Sequence, residues 1–559
     1  MRRAVADGVP VFWAPGPAPF TAGLVFGVGR RDESFVTGGV THLVEHLAMS
    51  SVGRTTLDCN ATVDLTTTQF TASGHPDRVL AFLRRVCQAL SDLPLDRLST
   101  EVDVLRTEGG CVAPPAVCAL LGERYGARGV GLAGFREPAL GALTSQDVQG
   151  WADLRFVRGA AALWMSGPPP DGLRLPLLEG PPQPSPDPVA RPMTTPALVE
   201  LTADGVVALG AELVRVPGLS AACRVLRDRV EDDLRHRRGL SYSVDTDQVS
   251  VSGDRQLVVL TADCREGDEA VVARALWQAL GRLGEDGPTP AELVHERALV
   301  EDHLDDPRAA CGEAQAAAVA LVAAVSHRTA QQLQAEAQAL TADQVRSAAQ
   351  ALQAAALLGV PEAVDPGLPA LAEVSPWSAS MLTGRDFSRR RGSGAPRGAR
   401  LVVGDAGVSL WLRKGERLTV RYADTVALLE VGREEWTLAG VDGVTVPLDP
   451  RDWRNGDEAL ALVRAAVPPH LQVTADSARS PGHRALLIAA PPHTATEALW
   501  TSGQPAHVAQ IEQWTLVVPD GDELQAHVSA AALSAAAGRK HPVLLLEQVH
   551  DELRLAVWH

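Results

Sequence analysis

Short hydrophobic runs of strand length alternate with longer amphipathic stretches along the first two thirds of the chain. Residues 9–14 and 21–28 are mostly apolar and predict strands that precede a first helix. Residues 291–352 are rich in alanine with polar positions at helical spacing, which predicts long helices. Strands and helices mixed in this way are typical of an α+β fold.

One short pattern occurs twice. Residues 142–148 (ALTSQDV) and 339–345 (ALTADQV) each place a threonine, a good N-cap residue, just before a helical pattern. Each helix is followed by an apolar run, 160–165 in the first copy and 354–358 in the second, which predicts a buried strand. The same order in both places predicts a duplicated domain of helices and strands.

Two segments of biased composition divide the chain. Residues 168–193 are rich in proline, which disfavours helices and sheets, and residues 375–398 combine arginines with glycine and serine, which predicts a flexible linker. Short alternating strands and then a helix follow, an order similar to that of a bacterial pleckstrin-homology-like β-barrel module. The predicted parts are two domains (1–167 and 194–374) on either side of the first linker, the module (399–469) and a small α+β domain of unknown role (470–559).

The charge balance and the cysteines exclude several classes of protein. Among 559 residues, 51 Lys and Arg stand against 68 Asp and Glu, a net charge of −17 that argues against nucleic acid or an anionic membrane as the main partner. The seven cysteines are scattered without a CxxC pair, so no zinc-ribbon site is expected. No apolar run is long enough to span a bilayer, and we expect a soluble cytoplasmic protein.

The pentamer HLVEH at residues 42–46 is the first candidate for chemistry. On a helix, His42 and His46 lie four residues apart on one face, as two ligands of one zinc ion require. Glu45 lies one turn from His42 and can reach a water molecule at the metal without being a ligand. The order HxxEH is the inverse of the HExxH zinc motif. The alternative is a polar helix face with two histidines and no metal.

A second helical pattern offers a third ligand. Glu101 and Glu108 are seven residues apart, close to two helical turns, so both carboxylates lie on one face. Glu108 can complete a zinc site, and Glu101 can support a ligand by a hydrogen bond. Taken alone, the pair is also compatible with two solvated glutamates.

Together these residues resemble the insulinase/pitrilysin family of zinc metallopeptidases, the inverzincins. The family pattern is HxxEH followed by a helix with two glutamates seven apart, the later one a metal ligand. The resemblance implies that His42, His46 and Glu108 bind Zn²⁺ and that Glu45 is the catalytic base.

Two further segments match the family. Asn60, Ala61 and Thr62 resemble the edge strand beside the active site, where substrate would bind. Arg235 and Tyr242, again seven apart, resemble the arginine/tyrosine segment that binds substrate and stabilises the tetrahedral intermediate. A guanidinium and a phenol can both donate hydrogen bonds to a developing oxyanion.

The resemblance also implies an architecture. It predicts two tandem homologous α/β sandwich domains of the insulinase-like metallopeptidase type, followed by the module and the small α+β domain. In the family, the zinc half and the arginine/tyrosine half of a site belong to different two-domain units. Too few residues follow the second linker for another such unit, so the resemblance implies a homodimer or a heterodimer with a related subunit.

The predicted function is a zinc-dependent endopeptidase that hydrolyses short or unfolded peptides. A narrower form of this hypothesis is the maturation of one precursor or leader peptide, guided by C-terminal modules that bond cleavage itself does not need. The alternative from another class is a non-catalytic peptide-binding or scaffold subunit of a heterodimeric peptidase.

Overall fold

The computed structural model describes residues 1–474, apart from residues 110, 111, 202, 204, 376, 413–415 and 432–434, and only the strands among the residues that follow. The chain divides into two compact units, Met1–Ala475 and Asp476–His559.

The first half of the larger unit is a six-stranded sheet with helices. Its strands are β1 (Arg2–Ala6), β2 (Val9–Trp13), β3 (Phe20–Phe26), β4 (Asp58–Val63), β5 (Thr68–Gly74) and β6 (Ala161–Met165). Its helices are α1 (Val40–Ser50), α2 (Pro76–Ser91), α3 (Leu98–Glu108), α4 (Pro115–Tyr125) and α5 (Ser145–Arg155). The strand order is β1-β2-β6-β3-β5-β4, so β4 is an edge strand. The apolar positions of α1, among them Leu43, Val44 and Leu47, are fully buried in the core of this half.

The second half repeats this plan. Its strands are β7 (Ala197–Leu201), β8 (Val206–Val214), β9 (Val244–Ser252), β10 (Arg255–Asp263), β11 (Ala356–Pro361) and β12 (Ala372–Glu373). Its helices are α6 (Leu219–Glu231), α7 (Glu269–Asp286), α8 (Pro290–Asp305), α9 (Ala309–Ala323), α10 (Ala330–Gln338) and α11 (Ala342–Ala354). The order β12-β7-β11-β8-β10-β9 matches the first sheet strand for strand after the outermost one.

The repeated sequence pattern occupies equivalent places in the two halves. Thr144 and Thr341 each cap a helix by accepting a hydrogen bond from the backbone N–H three residues on. The strand after each helix, β6 or β11, lies in the interior of its sheet and pairs in parallel with β2 or β7. The mixed α+β fold and its duplication therefore agree with the sequence prediction.

Helix α9 belongs to the second half by sequence but packs on the first sheet. Its alanines, Ala314, Ala317 and Ala318, lie against Phe12 and Trp164 in one buried cluster. Small side chains allow this close approach, and a Cβ at Gly27 would lie only 2.2 Å from the Val322 carbonyl oxygen.

After the second half come the strands of two four-stranded sheets, together with one helix. They are β13 (Arg385–Ser388), β14 (Arg400–Gly404), β15 (Gly407–Trp411), β16 (Arg417–Arg421), β17 (Thr425–Val431), β18 (Glu435–Gly440), β19 (Thr445–Pro447) and β20 (Gln472–Thr474), with α12 (Gly456–Ala466). The sheet orders are β13-β14-β15-β16 and β19-β18-β17-β20, and the described strand pairs do not join the two into one barrel. We call residues 385–474 the two-sheet module.

One boundary differs from the prediction. Part of the segment predicted as the flexible linker 375–398 is ordered, because Arg385–Ser388 forms β13 and pairs with β14. Two arginines of this segment have partners within the fold: Arg385 forms an ion pair with Glu458, and Arg389 donates hydrogen bonds to backbone carbonyls of Ser393 and Ala395. The predicted linker 168–193 contains no helix or strand, and Leu173, Leu175 and Leu177 anchor it in the core of the first half.

The smaller unit contains a five-stranded antiparallel sheet. Its strands are β21 (Arg484–Ile488), β22 (Ala506–Ile511), β23 (Trp514–Pro519), β24 (Val543–Val549) and β25 (Glu552–Trp558), in the order β22-β23-β21-β24-β25. The sequence pattern of residues 520–537 predicts the helix of this small α+β domain, and that segment lies outside the described residues. Within the described part of the chain, no helix is both long enough and apolar enough to cross a membrane.

Candidate metal centre

The candidate site is built on α1, whose first turn is held by a buried ion pair. Gly39 precedes the helix with a φ of 102°, a conformation that favours glycine. The Glu33 carboxylate accepts hydrogen bonds from the backbone N–H groups of Gly39 and Thr41, both at 2.9 Å, and pairs with the Arg30 guanidinium. Glu33 thus satisfies backbone groups that would otherwise lack partners at the helix start.

Helices α1 and α3 bring the three predicted metal ligands together. His42, His46 and Glu108 each offer one donor atom, and these atoms lie within 4.8 Å of one another. The Oε2 atom of Glu108 is 3.5 Å from Nε2 of His42 and 3.3 Å from Nε2 of His46. The Glu108 side chain is 54% exposed, which leaves one side of the cluster open.

Glu45 lies beside this cluster and is itself buried. Its Oε2 atom is 3.9 Å from Nε2 of His42 and 3.8 Å from Nε2 of His46. Only 6% of the residue is exposed. The carboxylate therefore faces the point on which both imidazoles converge, as the HxxEH spacing predicts.

The carboxylates of Glu101 and Glu137 lie within hydrogen-bond distance of the Nδ1 atoms of His46 and His42, respectively. Nδ1 of His46 lies 3.4 Å from Oε2 of Glu101, whose other oxygen accepts two hydrogen bonds from Arg97. Nδ1 of His42 lies 2.8 Å from Oε1 of Glu137. A carboxylate on Nδ1 orients the ring and directs Nε2 toward a metal.

Sequence reasoning found Glu101 but missed Glu137. Glu101 shares a helix face with Glu108, so its spacing predicts its position. Glu137 follows the short helical turn Gly129–Gly134, in a segment without regular structure that lies 95 residues beyond His42. Nothing in the local spacing connects these two residues.

Burial and neighbouring charges shift the pKa values of the site. Burial lowers the pKa of His42, but the hydrogen bond and charge of Glu137 together with the charges of Glu45 and Glu108 outweigh it, so that the pKa is raised overall. Burial is the main cause that raises the pKa of Glu45, and the two histidines oppose it only in part. A carboxylate with a raised pKa is a better proton acceptor than an ordinary surface glutamate.

A cavity of about 620 Å³ opens over the cluster and is bordered by edge strand β4. Asn60, Ala61 and Thr62, the residues predicted to bind substrate, line it together with Met49 and Ser50 of α1. Among the described strands, β4 pairs only with β5, so its other edge leaves backbone N–H and C=O groups available to bind an extended chain.

Arg235 and Tyr242 lie in the second half, and no described contact joins them to the cluster. Arg235 belongs to a π-helical turn, Asp232–Arg237, and its guanidinium stacks on the Tyr242 ring at 5.3 Å. Tyr242 is 77% exposed. Its loop is held by Asp263, whose Oδ1 accepts hydrogen bonds from the Ser241 hydroxyl at 2.6 Å and the Tyr242 N–H at 2.7 Å.

The donor set of the cluster fits a zinc ion. Two imidazole Nε2 atoms and one carboxylate oxygen converge, both Nδ1 atoms are engaged by carboxylates, and one side is open. Three protein ligands of this kind with an open position are typical of catalytic zinc sites. Among the described residues, no second group of this kind is present. The corresponding helices of the second half, α6 and α8, are instead joined by the ion pair Arg224–Glu296 at 2.7 Å.

The sequence matches no known family profile and no curated protein. Solved structures nevertheless share its fold. A protease from Helicobacter pylori is similar with a TM-score of 0.52 and 15% identity, over 64% of this chain and 98% of that one. A peptidase M16 inactive domain from Pseudomonas fluorescens is similar with a TM-score of 0.51 and 14% identity, over 67% of this chain and 99% of that one. The first half of the periplasmic protease PqqL from Escherichia coli has a TM-score of 0.50 and 14% identity, over 67% of this chain and 94% of that one.

These likenesses confirm the predicted insulinase-like fold. At 14–15% identity they carry no activity to this chain, and one of the three is described as inactive.

Proposed function

We propose that this protein is a zinc-dependent endopeptidase that cleaves short or unfolded peptides. The observation that carries the proposal is the convergence of His42, His46 and Glu108 with the buried carboxylate of Glu45 less than 4 Å from both Nε2 atoms. A structural cluster with no catalytic role would have no need of a fourth, non-ligating acid facing the same point.

The side chains of the site have separate tasks in this proposal. His42, His46 and Glu108 would hold zinc, which when bound supplies a Lewis acid for peptide hydrolysis. Glu45 would accept a proton from the attacking water molecule and pass it to the leaving amine. Glu101 and Glu137 would keep the imidazoles in the required tautomer and orientation.

The edge strand favours extended substrates. A peptide could pair with the free edge of β4 through main-chain hydrogen bonds and so pass along the cavity over the cluster. Such pairing needs several consecutive residues without internal hydrogen bonds. Short or unfolded peptides meet this requirement, whereas folded proteins do not.

Removal of the metal tests the proposal. The purified chain, incubated with a mixed pool of short peptides, is expected to cleave some of them, to lose cleavage after treatment with a zinc chelator and to regain it when Zn²⁺ is added back. Mass spectrometry of the pool would identify the cut sites. Cleavage that persists in the metal-free protein would contradict the proposal, and a zinc-loaded chain that cleaves nothing would favour a binding role.

We further infer that each site is completed by a second chain. Tyr242 is largely exposed and stacks only on Arg235 among the described ring contacts, as expected of a pair that awaits a partner surface. In a symmetric dimer, Arg235 and Tyr242 of one chain would donate hydrogen bonds to the oxyanion that develops at the zinc cluster of the other.

Mixing two inactive variants tests this arrangement. Glu45→Gln and Tyr242→Phe, each with little activity alone, are expected to regain about one quarter of wild-type cleavage after subunits exchange, because half of the dimers are mixed and each mixed dimer holds one intact site. Mixing Glu45→Gln with His46→Ala is the matched control and should restore nothing, since both defects lie in the zinc half. No recovery in the first mixture would contradict a shared site.

A further inference from the structure

A short loop, residues 135–138, connects the candidate metal centre to the rest of the larger unit. Oε1 of Glu137 in this loop lies 2.8 Å from Nδ1 of His42 and accepts a hydrogen bond from it when Nδ1 carries the proton. The backbone of the loop is held from one side by Arg30, whose Nη2 donates to the carbonyl oxygens of Phe135 at 3.2 Å and Arg136 at 2.9 Å. We call residues 135–138 the Glu137 loop.

The two-sheet module supports the other side of this loop. The Phe135 ring packs edge-on against Phe35, with centroids 5.2 Å apart. Both rings contact one buried apolar cluster. This cluster includes Leu132, just before the loop, and four residues of the module. The members from the module are Ala427, Leu429, Ala439 and Val473.

Backbone contacts reinforce the same joint. The N–H of Ala127 donates to the carbonyl oxygen of Val441 at 3.0 Å. Gly126, with a φ of +69°, lies so close to the module that a Cβ there would be 2.3 Å from the Val441 oxygen. A Cβ at Gly443 would lie 3.4 Å from Cζ of Phe135. The module therefore touches both the helical turn before the Glu137 loop and the loop itself.

We propose that the two-sheet module positions Glu137, and through it the His42 imidazole, for metal binding. The inference rests on the proposed function only in taking His42 as a metal ligand. A loop without helix or strand has no hydrogen-bond ladder of its own, so its neighbours fix it. They are Arg30, the apolar joint and the residues just before α1, where the Gly38 carbonyl oxygen accepts a hydrogen bond from the Ala139 N–H at 3.3 Å. The module is then part of the metal centre's scaffold and not only an appendage that guides substrates.

Substitutions at the joint in the full-length chain test this role. Leu429→Ala, which removes side-chain volume at the joint, is expected to lower zinc affinity about tenfold, as loss of a group that orients a ligand does. Gly126→Ala, which forces the joint apart, should do the same. Leu429→Met keeps the volume and should retain wild-type affinity. Val446→Ala, in the module's own core, is the matched control for destabilising the module away from the joint.

Two readouts distinguish positioning from a general loss of stability. Zinc affinity is measured by competition with a chromophoric chelator, and the Co²⁺-substituted protein reports the ligand field at the site by its absorption spectrum. Leu429→Ala should shift this spectrum in the same way as Glu137→Gln. If the module acts through Glu137, adding Leu429→Ala to Glu137→Gln should cost little further affinity, because the two changes remove one interaction.

Wild-type affinity and spectrum in both joint variants would overturn the inference, as would fully additive losses in the double variant. The outcome is separable from that of the proposed function, because metal binding is measured without substrate. A protein that binds zinc through this scaffold but cleaves no peptide would contradict only the proposed function. A wild-type chain that binds no zinc would overturn both.

Discussion

Glu45→Gln is expected to abolish peptide cleavage while zinc remains bound. The amide has nearly the shape of the carboxylate and can fill the same buried position, but it cannot accept a proton. Loss of a general base costs about 10²- to 10⁴-fold in rate. The metal should stay because His42, His46 and Glu108 are untouched. Cleavage rate and zinc content, measured on the same preparation, check both halves of the expectation.

Glu301→Gln is a matched control for this variant. Glu301 is an exposed residue of α8 in the second half, and the same change there should leave cleavage unaltered. Full activity of Glu45→Gln would exclude the proposed mechanism. Loss of zinc together with activity would indicate instead that Glu45 is a ligand or holds the site together.

Glu33→Ala is expected to destabilise the first half strongly. The side chains of Glu33 and Arg30 are 1% and 4% exposed, and the carboxylate also accepts hydrogen bonds from two backbone N–H groups at the start of α1. Removing one partner of a buried ion pair costs about 3–5 kcal/mol, because the other charge stays buried without an opposite charge beside it. Urea unfolding followed by tryptophan fluorescence measures the effect.

An exposed ion pair provides the comparison. Glu179, 80% exposed, pairs with Arg158 at 2.6 Å, and Glu179→Ala should cost less than about 1 kcal/mol. Glu33→Gln keeps a hydrogen-bond acceptor, so its loss of unfolding free energy should lie between those of the two alanine variants. Equal losses for Glu33→Ala and Glu179→Ala would show that the buried pair does not stabilise this half.

Local spacing made the fold and much of the site predictable. The HxxEH pentamer and the glutamates at a seven-residue interval each fix which side chains share a helix face, and α1 and α3 cover the predicted positions. The repeated capped helix and strand predicted the duplication in the same way. Each of these signals depends on the geometry of one helix or one strand, which the sequence encodes directly.

Long-range contacts were not predictable by this reasoning. Glu137 meets His42 across 95 residues of chain, and no periodicity links them. Leu429 and Ala439 follow a strand pattern that predicts burial but not which surface covers them. Arg385 lies in a segment whose composition predicts a flexible linker, yet it pairs with Glu458, 73 residues further along the chain.

The path of α9 has a consequence for how a substrate could enter. This helix of the second half lies on the first sheet, and the buried Arg31 side chain adds hydrogen bonds to the carbonyl oxygens of Val251 at 3.3 Å and Ala323 at 3.0 Å. These contacts hold the two halves of one chain together, so the proline-rich segment between them cannot act as a hinge unless the contacts of α9 and Arg31 break. In the dimer proposed above, a motion that widens access for a peptide would therefore separate one chain from the other, and admission would then respond to protein concentration.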